Sequence, residues 1–214
     1  MDNLLSNPAE LLFIIPTLLA AITVHEFAHA WTADRLGDPT PRIQGRLTLN
    51  PLKHLDPLGT LMLLLFRFGW GKPVQFDPFN LEKPQRDAAI ISFAGPLSNI
   101  LLALASSVVA HISLANQFNP LLISLAILFI QFNLFLAVFN LIPIHPLDGG
   151  KILIGLLPRD KALEVDRVLN QYGFIILLAL ILPIFGGRPL VWQILGPVLT
   201  ILMHFLVPNG TIFT

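Results

Sequence analysis

The chain has 214 residues, of which 54% are hydrophobic and only 12% are charged, and its mean hydropathy is +0.73. Soluble domains carry about 25% charged residues, so this composition excludes an ordinary soluble domain and indicates an integral membrane protein. A formal net charge of zero gives no basic excess for nucleic acid, and the absence of cysteine excludes disulfides and thiolate metal ligands.

The first predicted transmembrane helix covers residues 9–33, and a helix needs about 20 apolar residues to cross the hydrocarbon core. The chain start lacks the basic residues and cleavage pattern of a secretory signal peptide, so we expect this helix to be retained. Apart from Glu10 at its start, three ionisable residues lie inside it, and each costs roughly 2.5–3.5 kcal/mol near the bilayer centre on insertion scales. Their presence at that depth indicates a function.

These three residues form a His-Glu-x-x-His motif of His25, Glu26 and His29. Residues four apart on a helix are offset by only about 40°, so both imidazoles can bind one ion. Glu26 is turned about 100° from His25, which suits a general base for water that the ion acidifies. A hydrolytic zinc site uses this motif with a third protein ligand. A buried polar network between helices is the alternative interpretation.

Residues 34–87 are rich in proline, glycine, aspartate and asparagine. The apolar patch at 58–70 is too short to span a bilayer and is typical of a re-entrant or interfacial segment. Residues 42–50 and 72–76 alternate polar and β-branched residues between turn formers, which predicts strand character. We expect a small re-entrant β/loop region here. His54 lies either at the mouth of the site or, as the simpler interpretation, in a solvated loop.

Four more apolar segments follow, at 88–114, 119–141, 170–186 and 189–207. Because Pro183 interrupts the third of these, the last two are either two spans or one span and a re-entrant piece. The predicted fold class is therefore an all-α polytopic membrane protein with about five to six transmembrane helices and the re-entrant β/loop region between the first two.

One membrane-embedded domain accounts for residues 1–214 in this interpretation. It comprises the motif helix at 9–33, the re-entrant and interfacial region at 34–87, core helices at 88–157 and C-terminal helices at 158–214. Lysine and arginine number eight in 34–87, none in 113–119 and four in 151–167. The positive-inside rule then places the first and third loops in the cytoplasm, although Arg188 opposes this. The site would face the cytoplasmic side of the cell membrane.

The strongest candidate for a third metal ligand is Asp148, in the sequence FNLIPIHPLDGGK at the inner end of the third predicted span. The first and third spans run parallel in this topology, so His29 and Asp148 lie near the same membrane face. Prolines and glycines break the helix there, which is tolerated where the backbone lines a cavity. His145 is an alternative ligand, and Asp148 could instead only cap the following helix.

Three asparagines are also candidates for polar contacts within the membrane. Asn140, one or two turns before Asp148, could hydrogen bond a substrate carbonyl or an oxyanion. Asn99 follows Gly95-Pro96 and could serve backbone groups freed where proline breaks the helix. Asn133, with its neighbour Gln131, is predicted to make interhelical hydrogen bonds.

The motif at 25–29, Asn140 and the PLDGG run at 146–150 resemble the site-2 protease family of intramembrane zinc metalloproteases, in its compact form without PDZ or CBS domains. Segments 45–60 and 93–99 are also similar to that family, so the resemblance covers most of residues 20–157. It implies one Zn²⁺ per chain bound by His25, His29 and Asp148, with Glu26 as the catalytic base. It further implies that Asn140 and Asn99 help to hold an extended substrate strand.

The function that the resemblance implies is hydrolysis of peptide bonds in or near transmembrane segments of membrane-protein substrates, in regulated intramembrane proteolysis. The implied partners are a transmembrane protein or peptide substrate and the lipid bilayer; nucleic acid is not expected. A homo-oligomer or a regulatory membrane partner is compatible with it. A divalent-metal transporter and a catalytically inactive membrane-binding homologue are the alternatives. Clustering of the ligands near one face disfavours transport, and the presence of Glu26 disfavours an inactive protein.

Overall fold

The structure is a computed structural model that describes residues 8–59, 71–183, 187 and 189–208. Over these ranges the regular structure is helical. Short 3-10 helices lie at Pro51–Lys53 and Pro78–Asn80. The α-helices are α1 (Pro8–Arg35), α2 (Thr40–Ile43), α3 (Pro84–Ala115), α4 (Pro120–Asn140), α5 (Asp148–Leu156), α6 (Arg159–Ile181) and α7 (Leu190–Leu206).

Three of these helices are long and apolar enough to cross a membrane: α1 from Leu11, α3 and α4. They correspond to the first three predicted spans, so the chain is a multi-pass membrane protein. The predicted total of five to six spans is not confirmed by the described residues. Helix α6 begins with the charged sequence RDKALEVDR. Helix α7 has 17 residues, a rise of about 26 Å against a hydrocarbon core of about 30 Å.

The region between α1 and α3 is not built from strands in its described part. Residues 42–50, predicted to be strand-like, contain the end of α2 and then turns, because Pro41 in the first turn favours a helical start. Residues 72–76 form no regular secondary structure, and strand pairing there is limited to one antiparallel bridge between Leu55 and Gly71. Residues 60–70 of the predicted apolar patch lie outside the described residues.

In this region, hydrogen bonds made by buried charged side chains connect the loops in place of a β-sheet. Arg46 is 4% exposed and donates to the carbonyl oxygens of Lys53 and Lys72, which ties two loops together. Asp38, which is fully buried, accepts hydrogen bonds from Thr40 and Asn80 and from the backbone N–H of Asp77. The end of α1 is thereby fixed to the loop that leads into α3.

Acid is expected to loosen this region through Asp38. Burial alone raises the pKa of Asp38, but hydrogen bonds from Thr40, Asn80 and the Asp77 backbone outweigh it and hold the pKa below 3.8. A carboxyl group with a lowered folded pKa stabilises the fold above its unfolded pKa and loses that contribution as pH falls through the folded value. We therefore expect the Tm of the protein in detergent to decrease as the pH is lowered below about 4. The Asp38→Asn variant should show a weaker dependence of Tm on pH. An unaltered pH profile in Asp38→Asn would contradict this assignment.

Small residues bring the long helices together. Alanines at contact positions let neighbouring helix backbones approach closely, which favours packing within a membrane. The main cluster joins α3, α4 and the end of α7 through Ala103, Ala110, Ala126, Ile127, Ile130, Leu134 and Val207.

A second apolar cluster fixes the segment that leads into α5. Ile144 and Leu147, in the broken stretch after α4, pack against Leu169 and Leu177 of α6. Because Leu147 directly precedes Asp148, this cluster sets the position of α5 and of its first side chain.

Candidate metal centre

Side chains from α1 and α5 converge at one point, although they are more than a hundred positions apart in the sequence. Oδ2 of Asp148 lies 3.2 Å from Nε2 of His25 and 3.3 Å from Nε2 of His29. The two Nε2 atoms are 3.0 Å apart. Both histidines are buried, and Asp148 is partly exposed. The structure thus brings the three predicted ligands together at one point.

Hydrogen bonds on the far side of each imidazole determine which nitrogen faces this point. Nδ1 of His29 lies 2.7 Å from the carbonyl oxygen of Ile91, which can only accept, so Nδ1 carries the proton. Nδ1 of His25 lies 2.6 Å from Oδ1 of Asn99, where it likewise donates. In the neutral rings both Nε2 atoms therefore present lone pairs toward Asp148.

The donor set fits a zinc ion. Among the described residues, Oδ2 of Asp148 is buried without a hydrogen-bond donor and faces two imidazole lone pairs. Acceptors cannot satisfy one another, whereas a divalent cation satisfies all three. A tetrahedral zinc site with bonds of about 2.05 Å has ligand atoms roughly 3.3 Å apart, close to the separations observed here. Two histidines and one carboxylate also leave a fourth position, as catalytic zinc requires.

Helix α3 approaches both imidazoles at Gly95. A Cβ atom at this position would lie within 2.7 Å of ring atoms of both His25 and His29. Only glycine therefore leaves room for the two rings. The sequence signal for this contact was a glycine followed by proline inside an apolar helix, but that signal alone does not say what packs against it.

The tight turn before α5 directs Asp148 inward. A Cβ at Gly149 would clash with the carbonyl oxygens of Leu141 and Ile142, so this turn closes on the end of α4. Asp148 is the first residue of α5, and Leu147 precedes it at the N-cap position.

The structure also gives the positions of two other histidines, His145 and His54, for which the sequence left alternatives open. Nε2 of His145 lies 3.2 Å from Oδ1 of Asp166 on α6, so this ring is engaged there while Asp148 lies at the metal centre. His54 is fully buried and its Nε2 donates to the carbonyl oxygen of Thr48. The interpretation of His54 as a solvated loop residue is therefore wrong, because its side chain has no exposure to solvent.

Glu26 is in contact with the segment at residues 71–77. Its Oε2 accepts a hydrogen bond of 2.8 Å from the backbone N–H of Val74. Lys151 of α5 places its ammonium 4.4 Å from the ring centroid of Phe76 in the same segment. Burial lowers the pKa of Lys151, and the charges of Asp148 and Glu26 oppose that effect. Sequence reasoning missed Val74 because a backbone donor has no signature in the sequence.

The two asparagines expected to hold substrate lie in different surroundings. Asn140 is partly buried at the end of α4, and its Nδ2 donates to the carbonyl oxygen of Leu136 at 3.0 Å. Asn99 is fully buried and hydrogen bonds His25, Ala21 and Asn133. Asn99 therefore lies behind His25, one of the three predicted metal ligands, and substrate contact by either asparagine stays a prediction.

Comparison with known proteins shows which family this chain is related to. Residues 106–180 match the family model of peptidase family M50. The chain is 38% identical over 203 residues to the Bacillus subtilis protein named "Putative zinc metalloprotease YwhC", with 92% of each chain covered. It is 34% identical over 191 residues to "Putative zinc metalloprotease Rip2" of Mycolicibacterium smegmatis, covering 83% of this chain and 70% of that one. No solved structure gives a significant match.

Proposed function

Because this chain belongs to peptidase family M50, the site-2 protease family of zinc metalloproteases, we propose that it hydrolyses peptide bonds in or near the transmembrane segments of membrane proteins. The observation that carries the proposal is a carboxylate, Glu26, next to a His25–His29–Asp148 centre on a helix apolar enough to span a membrane. Regulated intramembrane proteolysis is the physiological setting that we propose for this reaction.

The chemistry divides between the ion and the protein. When bound by His25, His29 and Asp148, zinc supplies a Lewis acid that polarises a carbonyl and acidifies water. The Val74 N–H holds Oε2 of Glu26, which leaves Oε1 to take the proton of the attacking water as the new C–O bond forms. Protonated Glu26 then returns this proton to the amide nitrogen as the C–N bond breaks.

A substrate helix must unwind before this reaction, because its carbonyl groups are bound within the helix. We propose that residues 71–77 offer an extended edge to which the unwound strand adds. Lys72 already donates its backbone N–H to the carbonyl oxygen of His54, and Val74 donates to Glu26, so the segment is held next to the base. Asn140, partly buried at the end of α4, is proposed to contact the same substrate strand, with Asn99 supporting it from behind His25.

We place the protein in the cell membrane with the centre toward the cytoplasm. His29 lies six residues, or about 9 Å of helix rise, from Arg35 at the end of α1. The basic residues that follow α1 support a cytoplasmic position for this end.

A cleavage assay tests the proposal most directly. The purified protein in liposomes, loaded with zinc, is expected to cut single-span membrane substrates, to lose that activity with a chelator and to regain it with zinc. Intact substrates with folded, zinc-loaded protein would contradict proteolysis. Uptake of zinc into the same sealed liposomes, abolished by His29→Ala, would instead support a transporter.

The contact between Val74 and Glu26 yields a separate expected result. Val74→Pro removes the N–H that holds Oε2, since proline has no backbone donor. We expect peptide cleavage to fall by roughly tenfold or more, because this hydrogen bond to a charged group contributes about 1.5–3 kcal/mol. Bound zinc should stay near one ion per chain. Val74→Ala retains the N–H and is expected to lose much less activity; equal losses in both variants would show that the side chain, not the N–H, matters.

A further inference from the structure

Behind the metal centre lies a chain of two buried side-chain amides, one from α3 and one from α4. Oδ1 of Asn99 is 2.6 Å from Nδ1 of His25, and Nδ2 of Asn99 is 2.8 Å from Oδ1 of Asn133. Both asparagines are 0% exposed. A continuous hydrogen-bonded path therefore runs from α4 through α3 to a metal ligand on α1.

Backbone carbonyl groups fix the direction of each amide. Nδ2 of Asn133 lies 2.9 Å from the carbonyl oxygen of Phe129, and Nδ2 of Asn99 lies 3.1 Å from that of Ala21. A carbonyl oxygen only accepts, so the nitrogen of each amide must face it. The oxygen of Asn133 is then left to accept from Asn99, and the oxygen of Asn99 to accept from the Nδ1–H of His25.

This path removes the freedom of His25 to change tautomer. If the amide group of Asn99 were flipped, its oxygen would face two acceptors at once, the carbonyl oxygen of Ala21 and Oδ1 of Asn133. Because the site is buried, no water is available to donate a hydrogen bond to these oxygens instead. His29 needs no such path, since the backbone of Ile91 fixes it directly. The two imidazole ligands are thus oriented by different means, and only His25 depends on side chains.

We propose that Asn133 is a positioning residue for the metal centre, acting through Asn99 to hold His25 in the tautomer that presents Nε2 to zinc. Asn133 itself contacts neither His25 nor Glu26 in the described hydrogen bonds. The inference rests on zinc binding and not on peptide hydrolysis. A protein that binds zinc as expected but cleaves nothing would contradict the proposed function and leave this assignment intact.

The test is the zinc affinity of the purified protein, measured by competition with a chelator. Asn133→Leu has nearly the same size but neither donor nor acceptor, and we expect roughly a tenfold weaker affinity. Asn99→Leu should weaken it by roughly 10–100-fold, the range typical of partners that orient metal ligands. Gln131→Leu, at an exposed position two residues away on α4, is the matched control and should leave the affinity unchanged.

A double-mutant cycle separates action through Asn99 from a general effect on packing. In the Asn99→Leu background, Asn133→Leu is expected to change zinc affinity by less than about twofold, because the path is already cut. An equal loss in both backgrounds, or no loss in either, would overturn the proposal. Asn133→Ala serves as a smaller second variant with the same expectation, in case leucine prevents folding.

A spectroscopic readout reports the tautomer itself. In zinc-loaded protein labelled with ¹⁵N-histidine, wild-type His25 should show the proton on Nδ1 and a metal-bound Nε2. Asn133→Leu should give a mixture of both tautomers at His25, while His29 stays unchanged. An unaltered His25 spectrum in Asn133→Leu, confirmed as folded by circular dichroism, would refute the positioning role.

Discussion

Replacing Glu26 with glutamine is expected to abolish peptide cleavage while zinc stays bound. Glutamine has the same shape and can still accept the hydrogen bond from Val74 through its amide oxygen, but it cannot take a proton from water. Loss of a general acid–base group lowers rates by roughly 10²–10⁴-fold. The measurements are the initial cleavage rate of a single-span substrate in liposomes and the zinc content per chain.

The zinc measurement decides the role of Glu26. Retention of about one zinc ion per chain would show that Glu26 acts beside the metal and not on it. Loss of zinc in Glu26→Gln would instead make Glu26 a ligand and undo the assignment of His25, His29 and Asp148 as the complete set. Glu82→Gln, at an exposed position before α3, is the control and should change neither quantity.

The convergence of His25, His29 and Asp148 was largely predictable because the positions of these residues follow simple rules of helix geometry and topology. The spacing of His25 and His29 fixes both rings on one helical face, and the ionisable residues stand out within an apolar span. The prediction of Asp148 as a ligand required a topological argument. The first and third spans run in the same direction, so they end at the same membrane face. The 3.2 Å separation of His25 and Asp148 agrees with that argument.

Contacts that depend on the backbone could not be read from the sequence. Every residue carries a backbone carbonyl group and every residue except proline carries an N–H, so nothing in the sequence distinguishes the N–H of Val74 or the carbonyl of Ile91 before folding. Asn99 had two interpretations from the sequence, and its hydrogen bond to His25 was neither of them.

Secondary structure was predicted least well where charged side chains replaced regular hydrogen bonding. Residues 42–50 had the alternation of a strand, but Pro41 starts a helical turn and Arg46 binds loop carbonyl groups instead of pairing with a neighbouring strand. Residues 170–181 of the predicted span at 170–186 fall in the apolar second half of α6, whose charged first half extends back to Arg159, and residues 184–186 lie outside the described part of the chain.

Gly95→Ala is expected to eliminate zinc binding, and with it cleavage, although Gly95 has no side chain and binds no ion. The new Cβ would lie within 2.7 Å of ring atoms of both His25 and His29, closer than nonbonded atoms approach. The rings cannot simply move away, because His25 is held by Asn99 and His29 by the carbonyl of Ile91. We expect at least a roughly 100-fold loss of zinc affinity, the upper end of the range for lost ligand support.

The control for Gly95→Ala is the same substitution at Gly196 of α7, where a Cβ meets no atom within 4 Å. Gly196→Ala should preserve zinc binding and cleavage and should stabilise the helix, because alanine is favoured over glycine in helices by about 1 kcal/mol. Gly95→Ala in turn should destabilise the zinc-free protein by about 1–3 kcal/mol, as expected of an overpacked core. Normal zinc affinity in a folded Gly95→Ala protein would mean that α3 can retreat from α1, and the imidazoles would then not be confined by that helix.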